Sequence, residues 1–430
     1  MPAEPRTLTI AVSELRVGLY VYLDLGWMDH PFPLNRFKIG TQQQIDTLRT
    51  LGLRELRYAP ELSDAHALPG AEAHSALGTD QATRVTPSAA PAGASTPAEP
   101  GDPWKKSCGQ CERQHAESSR AVKAVFEKIP SAPASAGAAS QQLVQNLLGD
   151  MLQQQESTLR LLADTTADHR TQHALNVAVL SLLLGRALGL APEALHALGV
   201  AGLLHDVGKI DLPEQVRYRD AGLSPVHQRV YREHVAHGLA WGKRMGLGAA
   251  VLQAIAQHHE LADGSGFPEG LRGEQISVAA GILALVNHYD SLCNPNNPLK
   301  AVTPHEALSI LFAQHKAQHA HRTLSAFIRM MGIYPPGSVV QLSDERYAVV
   351  LSVNTARPLK PELMVYERRS NCAEVVHVLD LQQEPHLSIQ RSLRLQQLPR
   401  PVLVCLSPKP RYCYFFERVL DPAERAEDGL

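Results

Sequence analysis

Fourteen of the twenty histidines fall between His169 and His321, a span of about a third of the chain. Histidine is the commonest metal ligand and a general acid–base, so this crowding marks where the chemistry lies. The same span is patterned as helix. Leu175 to Leu188, for instance, carries apolar residues at Leu180, Leu183, Leu184 and Leu188, the spacing of one helix face. Long amphipathic runs broken by short Gly/Pro loops extend over residues 113–332, which are expected to form one helical domain.

The flanks read differently. Leu8–Val12 and Leu19–Leu23 are strand-like, Gly18 marks a turn, and Ile45, Leu48 and Leu51 share a helix face, so residues 1–62 are expected to form a small α+β domain. Residues 63–112 are rich in Ala, Pro, Gly and Ser, as in Pro87–Ser95, and offer few large apolar groups to offset the entropy of ordering; a flexible linker is expected. Cys108 and Cys111 at its end form one CxxC with no second pair nearby, and two incidental thiols are the better reading. After Tyr334-Pro335-Pro336-Gly337 come short β-rich runs such as Tyr347–Leu351 and Val375–Leu379, so residues 333–430 are taken as a small β-rich region.

Composition bounds the partners. A formal charge of −2 gives no general attraction to a nucleic acid polymer or an anionic membrane. The apolar run Val177–Leu184 is far short of the ~20 residues of a membrane span. Neither the N-terminal residues nor six scattered cysteines suggest export, and a cytoplasmic protein is expected.

The chemistry centres on His205-Asp206-Val207-Gly208-Lys209. An adjacent His and Asp can both ligate metal, and the carboxylate can bridge two ions. Lys209, one helical turn from His205, can meet the charge of a phosphate, while Gly208 is expected to leave room for a close ligand. His173 precedes this motif, and His234 and His258-His259-Glu260 follow it. Next come Asp263-Gly264-Ser265-Gly266-Phe267-Pro268 and Gly270-Leu271-Arg272-Gly273. A phosphodiester resists nucleophiles because its oxygens are anionic; two metal ions about 3.5–4 Å apart neutralise that charge and activate water.

In order and spacing this set resembles the HD-GYP family of metal-dependent phosphohydrolases, over roughly residues 165–330, and residues 23–32 resemble the accessory domain that precedes many of its members. The resemblance implies a mainly α fold with a helical HD-type domain, and hydrolysis of cyclic di-GMP to linear pGpG and onward to GMP. It implies His173, His205, Asp206, His234, His258 and His259 as ligands of two divalent ions, iron or manganese, with Asp206 bridging and Lys209 on the scissile phosphate. Gly266, Arg272 and Lys300 would contact substrate, and Glu260 would orient a histidine. Signalling partners would dock on the N-terminal domain or the Gly-Phe-Pro loop, and a homodimer is compatible with it.

Several positions depart from the family pattern. Where the family places an aspartate ligand, three residues before Asp290, this chain has Asn287, whose amide oxygen can still bind a cation but without charge. Asn297-Pro298-Leu299-Lys300 loses one cation of the substrate segment, Gly281 replaces an arginine, and Phe267 lacks the tyrosine hydroxyl. His169 stands where three-metal members carry glutamate and is read as an outer or surface residue. These departures sustain an alternative, a weak or inactive domain that senses a cyclic dinucleotide or docks a protein. Another cyclic dinucleotide as substrate stays open as well. His196, His227, His237, His305, His315, His319 and His321 match no motif position and are read as surface or satisfied core histidines.

Overall fold

Alternating apolar residues at the start of the chain build an antiparallel sheet of β1 (Leu8–Ala11), β2 (Tyr20–Tyr22), β3 (Arg36–Lys38) and β4 (Glu55–Tyr58), in the order β1-β4-β2-β3. Helix α1 (Gln42–Thr50) contributes Ile45 and Leu48 to a core with Ile10, Leu19, Val21 and Leu56. This unit continues past residue 62, since the Tyr20 amide donates to Ser63 Oγ at 2.9 Å and the Asp64 amide to the Gly18 carbonyl at 2.9 Å. The computed structural model describes residues 7–23, 36–39, 42–50, 53, 55–64, 103–152, 157–162, 168–217, 224–355, 357–368, 374–406 and 411–418. Residues 24–32 of the accessory-domain resemblance and 65–102 of the expected linker therefore lie outside the described residues.

The second unit spans Thr96–Leu430. It opens with α2 (Pro103–Lys128), so the last ten residues assigned to the linker are helical instead, and Cys111 is buried with its thiol 3.8 Å from the Phe416 carbonyl. There follow α3 (Pro133–Leu152), β5 (Ser157–Leu161), α4 (His169–Ala187), α5 (Pro192–Leu204), α6 (Glu214–Arg217), α7 (Pro225–Arg244), α8 (Ala249–Gln257), α9 (Val278–Cys293), α10 (Pro304–Gln314) and α11 (His321–Met331). Starts are set locally. Asp168, Ser224, Ser277 and Thr303 cap α4, α7, α9 and α10 through their side chains, and α5, α7 and α10 begin with proline.

Helix α4 is the axis of this unit. From Thr171 to Gly185 every residue except His173 is buried, so the single apolar face expected from Leu180 to Leu188 understates it. Helix α5 crosses it closely at Gly202, where a Cβ would stand 2.9 Å from the Ala178 Cα. That crossing brings the end of α5 beside His173.

The β-rich region is not a separate appendix. Its strands β6 (Val339–Leu342), β7 (Tyr347–Asn354), β8 (Glu362–Arg368), β9 (Glu374–Asp380), β10 (Ile389–Leu393) and β11 (Tyr414–Arg418) share one antiparallel sheet with β5. Helix α12 (Arg400–Leu406) packs against β8 and β9. Strand β5 pairs with both β7 and β11, and Tyr414, Phe415 and Phe416 belong to the helical core. The five-residue alternation Ser157-Thr158-Leu159-Arg160-Leu161, inside an otherwise helical span, is what ties the two together. The unit is thus mainly helical with an antiparallel sheet built into it. No described helix is long and apolar enough to cross a membrane.

Candidate metal centre

Four helices converge their histidines on one carboxylate. His173 comes from the first turns of α4, His205 and Asp206 from the end of α5, His234 from α7, and His258 and His259 from the end of α8. Their ligand atoms fall into two groups, His173/His205/Asp206 and Asp206/His234/His258/His259, each within 4.8 Å. Asp206 belongs to both. Its Oδ2 lies 3.7 Å from His173 Nε2 and 3.5 Å from His205 Nε2, while Oδ1 lies 3.7 Å from His234 Nε2 and 3.8 Å from His258 Nε2.

The hydrogen bonds on the far side of each ring fix what those Nε2 atoms can do. His205 Nδ1 meets the Gly202 carbonyl at 2.9 Å, His234 Nδ1 the Tyr231 carbonyl at 2.5 Å, and His258 Nδ1 the Ile255 carbonyl at 2.7 Å. His173 Nδ1 meets Asp290 Oδ2 at 2.6 Å. Each acceptor demands an N–H, which in a neutral ring leaves Nε2 as a bare lone pair. His173 and His205 then oppose lone pairs at 3.3 Å, as do His234 and His258 at 3.3 Å. Neither pair can share a proton in this tautomer, and a cation relieves both.

Local structure adds to the fit. His205 and His258 are the C-caps of α5 and α8, where helix carbonyls carry partial negative charge. Asp206 Oδ1 and His259 Nε2 are buried without a hydrogen-bond partner, as expected of groups whose partner is an ion. Burial pushes His205 and His234 down to about 3 and His259 well below its usual range, so these rings stay neutral and able to ligate at pH 7. Burial alone would raise Asp206, but the Lys209 ammonium beside it holds it well below the usual carboxylate range. Imidazole nitrogens and a shared carboxylate suit divalent transition ions over calcium or magnesium.

Several sequence expectations are refined. Lys209 Nζ sits 2.6 Å from Asp206 Oδ2 and 5.2 Å over the Tyr231 ring, so it neutralises the central carboxylate. Gly208 does not make room for a ligand: a Cβ there would stand 1.9 Å from the His234 carbonyl oxygen. It lets α7 approach close enough to present His234. Among the described contacts Glu260 meets no histidine; its two oxygens accept the Glu269 and Leu271 amides at 2.7 and 2.8 Å and clamp the Gly-Phe-Pro loop. Gly266 is explained by packing, since a Cβ would lie 2.4 Å from the Leu261 nitrogen. Phe267 stacks on His259, centroids 4.5 Å apart, and the Arg232 guanidinium lies over the Phe267 ring, 5.0 Å from its centroid.

Arg272 and Lys300 are exposed, and among the described contacts neither touches the imidazole cluster. Asn287 is buried on α9 and its Oδ1 accepts from Ser291 Oγ at 3.5 Å. His169 stacks parallel to His173 at 6.3 Å and bonds the Asn294 carbonyl at 2.9 Å, an outer position. His196 and His305 are satisfied by the Gln141 and Ile333 carbonyls, and His315 and His319 gather around His288. What sequence reasoning missed is the support of His173. Asp290 is fully buried and holds its imidazole; the Tyr-Asp-Ser stretch contains the residue but not its role.

Comparisons with known proteins identify the family. A domain of unknown function (DUF3391) matches residues 7–139 and an HD domain matches residues 156–324. Cyclic di-GMP phosphodiesterase PA4108 of Pseudomonas aeruginosa is 30% identical over 381 residues, 86% of this chain and 88% of that protein. The response regulator RpfG of Xanthomonas campestris, a cyclic di-GMP phosphodiesterase, is 33% identical over 150 residues, 34% of this chain and 39% of its own. A 3'3'-cGAMP-specific phosphodiesterase of Vibrio cholerae is 29% identical over 149 residues, 34% of each chain. Among solved structures, an HDG"Y"P protein from Bdellovibrio bacteriovorus aligns over 75% of this chain and 98% of its own at 17% identity, with a TM-score of 0.41. The chain belongs to the HD-GYP family of HD-domain phosphodiesterases, with the DUF3391 domain at its N-terminal end.

Proposed function

We propose that the chain hydrolyses cyclic di-GMP to linear pGpG, with GMP as the product of a second cut, and that it does so with two divalent ions, iron or manganese. The observation that carries this reading is the division of Asp206, whose two oxygens each face a separate pair of imidazole Nε2 atoms. Bound there, two ions would neutralise phosphate charge and bring a water's pKa toward neutrality. His173 and His205 would hold one ion; His234, His258 and His259 the other; Asp206 would bridge. Asn287 is assigned as an uncharged further ligand.

The remaining groups bind and orient. Lys209 now pairs with Asp206. With both carboxylate oxygens engaged, its ammonium would turn to the non-bridging phosphate oxygens and stabilise the charge that develops there. Arg272 and Lys300, both exposed, are assigned to the outer parts of the dinucleotide. The Gly-Phe-Pro loop, clamped by Glu260, walls the side of the pocket at His259 and offers a surface to signalling partners. The test is turnover of cyclic di-GMP by protein purified without oxygen and given Fe(II) or Mn(II), beside Asp206→Ala. Turnover lost in the variant supports the reading, and a wild type that binds the dinucleotide without cleaving it sinks it. Asn287 in place of a charged ligand is the observation that favours that second outcome, a cyclic dinucleotide sensor.

A further inference from the structure

The support behind His173 does not end at Asp290. Asp290 Oδ1 accepts two side-chain amides, Asn176 Nδ2 at 2.8 Å and Asn294 Nδ2 at 2.9 Å. Each of those amides spends its second hydrogen on the Tyr412 carbonyl, at 2.9 Å in both cases, and Gln172 Nε2 adds a third bond to that oxygen at 3.3 Å. Their oxygens are engaged as well: Asn294 Oδ1 accepts the Tyr412 amide at 2.7 Å and Asn176 Oδ1 accepts the Tyr414 amide at 2.9 Å. Backbone N–H groups can only donate, so both Asn oxygens must face the chain at 412–414. Both NH2 groups are then forced toward Asp290 and the Tyr412 carbonyl.

We propose that Asn176 and Asn294 are positioning residues through which the C-terminal segment Tyr412–Tyr414 sets the His173 imidazole, making that segment part of the catalytic unit. Asn176 and Asp290 are fully buried and Asn294 is 4% exposed, so water cannot replace any of these bonds. Asp290 can hold His173 in only one orientation while its other oxygen is fixed by two amides. Those amides stay fixed only while the C-terminal segment is docked. Strand β11, which continues this segment, pairs with β5 and buries Tyr414, Phe415 and Phe416 in the helical core. Displacement of the sheet at β11 would therefore reach the His173 side of Asp206 and spare the His234/His258/His259 side.

This inference rests on the two-ion reading, and Mn(II) titration separates the two. Free Mn(II) is followed by electron paramagnetic resonance on full-length, metal-stripped protein, with thermal unfolding in parallel; His173→Ala identifies the binding step that needs His173. Asn294→Asp and Asn176→Asp keep the acceptor for the backbone amide but remove the donors to Asp290. Each is expected to weaken the His173 step about tenfold to a hundredfold, the usual cost of losing an outer hydrogen-bond partner, and to leave the other step within about twofold. Gln172→Leu loses only a bond to the Tyr412 carbonyl and is expected to leave both steps near wild type. Equal weakening of both steps, or none, in the two Asn variants overturns the positioning role. A wild type that takes up no Mn(II) overturns the two-ion reading and this inference with it.

Discussion

Gly208→Ala isolates the reason for the glycine in the His-Asp-Val-Gly-Lys motif. An added Cβ would lie 1.9 Å from the His234 carbonyl oxygen, 2.3 Å from the Gly238 nitrogen and 2.9 Å from the His234 carbonyl carbon. All three are backbone atoms of α7, so no side-chain rotation can relieve the contact. The helix must withdraw by roughly an ångström, and overpacking of this kind costs about 1–3 kcal/mol. His234 moves with it, away from Asp206 Oδ1 at 3.7 Å. A misplacement near 1 Å at a reacting centre costs about a hundredfold in rate.

The variant is therefore expected to lose about 2 kcal/mol in denaturant unfolding of the metal-free protein, and to weaken Mn(II) binding at the His234 step and cyclic di-GMP turnover about a hundredfold. Gly281→Ala is the control. A Cβ there meets nothing within 4 Å, and alanine inside α9 should be neutral or stabilising by up to about 1 kcal/mol. A Gly208→Ala protein with wild-type stability and metal affinity, altered only in KM, would refute the packing argument and return the glycine to ligand clearance.

Three further outcomes follow from the same geometry. Asn287→Asp should raise Mn(II) affinity and any diesterase rate; no change in either would remove Asn287 from the ligand set. Glu260→Ala leaves the Glu269 and Leu271 amides without acceptors, and hydrogen exchange at those two amides should accelerate, with about 2–3 kcal/mol lost in stability; unchanged exchange would show that the loop is held by other contacts. The metal-free protein should weaken on acidification: burial holds His205 and His234 at about 3, below their unfolded values, so between about pH 6.5 and 3 the unfolded chain binds more protons and stability falls as pH falls. These two rings alone set a slope of up to about 2.7 kcal/mol per pH unit, and equal denaturation midpoints at pH 7 and pH 5 would contradict it.

The clustering of these side chains was legible because most of its geometry is local. His205-Asp206 and His258-His259 are neighbours in sequence at the ends of α5 and α8, and His205, His234 and His258 each find an Nδ1 acceptor three residues upstream. The carbonyl three residues back in the same helix orients each ring, and for His205 and His258 the helix end also sets the spacing, so a motif suffices to place them. His173 is the exception: it stands early in α4, and its Nδ1 acceptor is Asp290, on α9. Such a contact has no local pattern, and neither do the bonds from Asn176 and Asn294 to Tyr412 and Tyr414, more than a hundred residues further on in either case. The same limit hid β5, five alternating residues whose partners β7 and β11 lie at the far end of the chain. The Oδ1 side of Asp206 is thus flanked by rings oriented within their own helices, whereas the Oδ2 side joins the locally held His205 to His173, whose orientation depends on long-range packing. Variation in the flanking sheet can act on the second side without disturbing the first, and that asymmetry makes stepwise metal binding more informative than turnover alone.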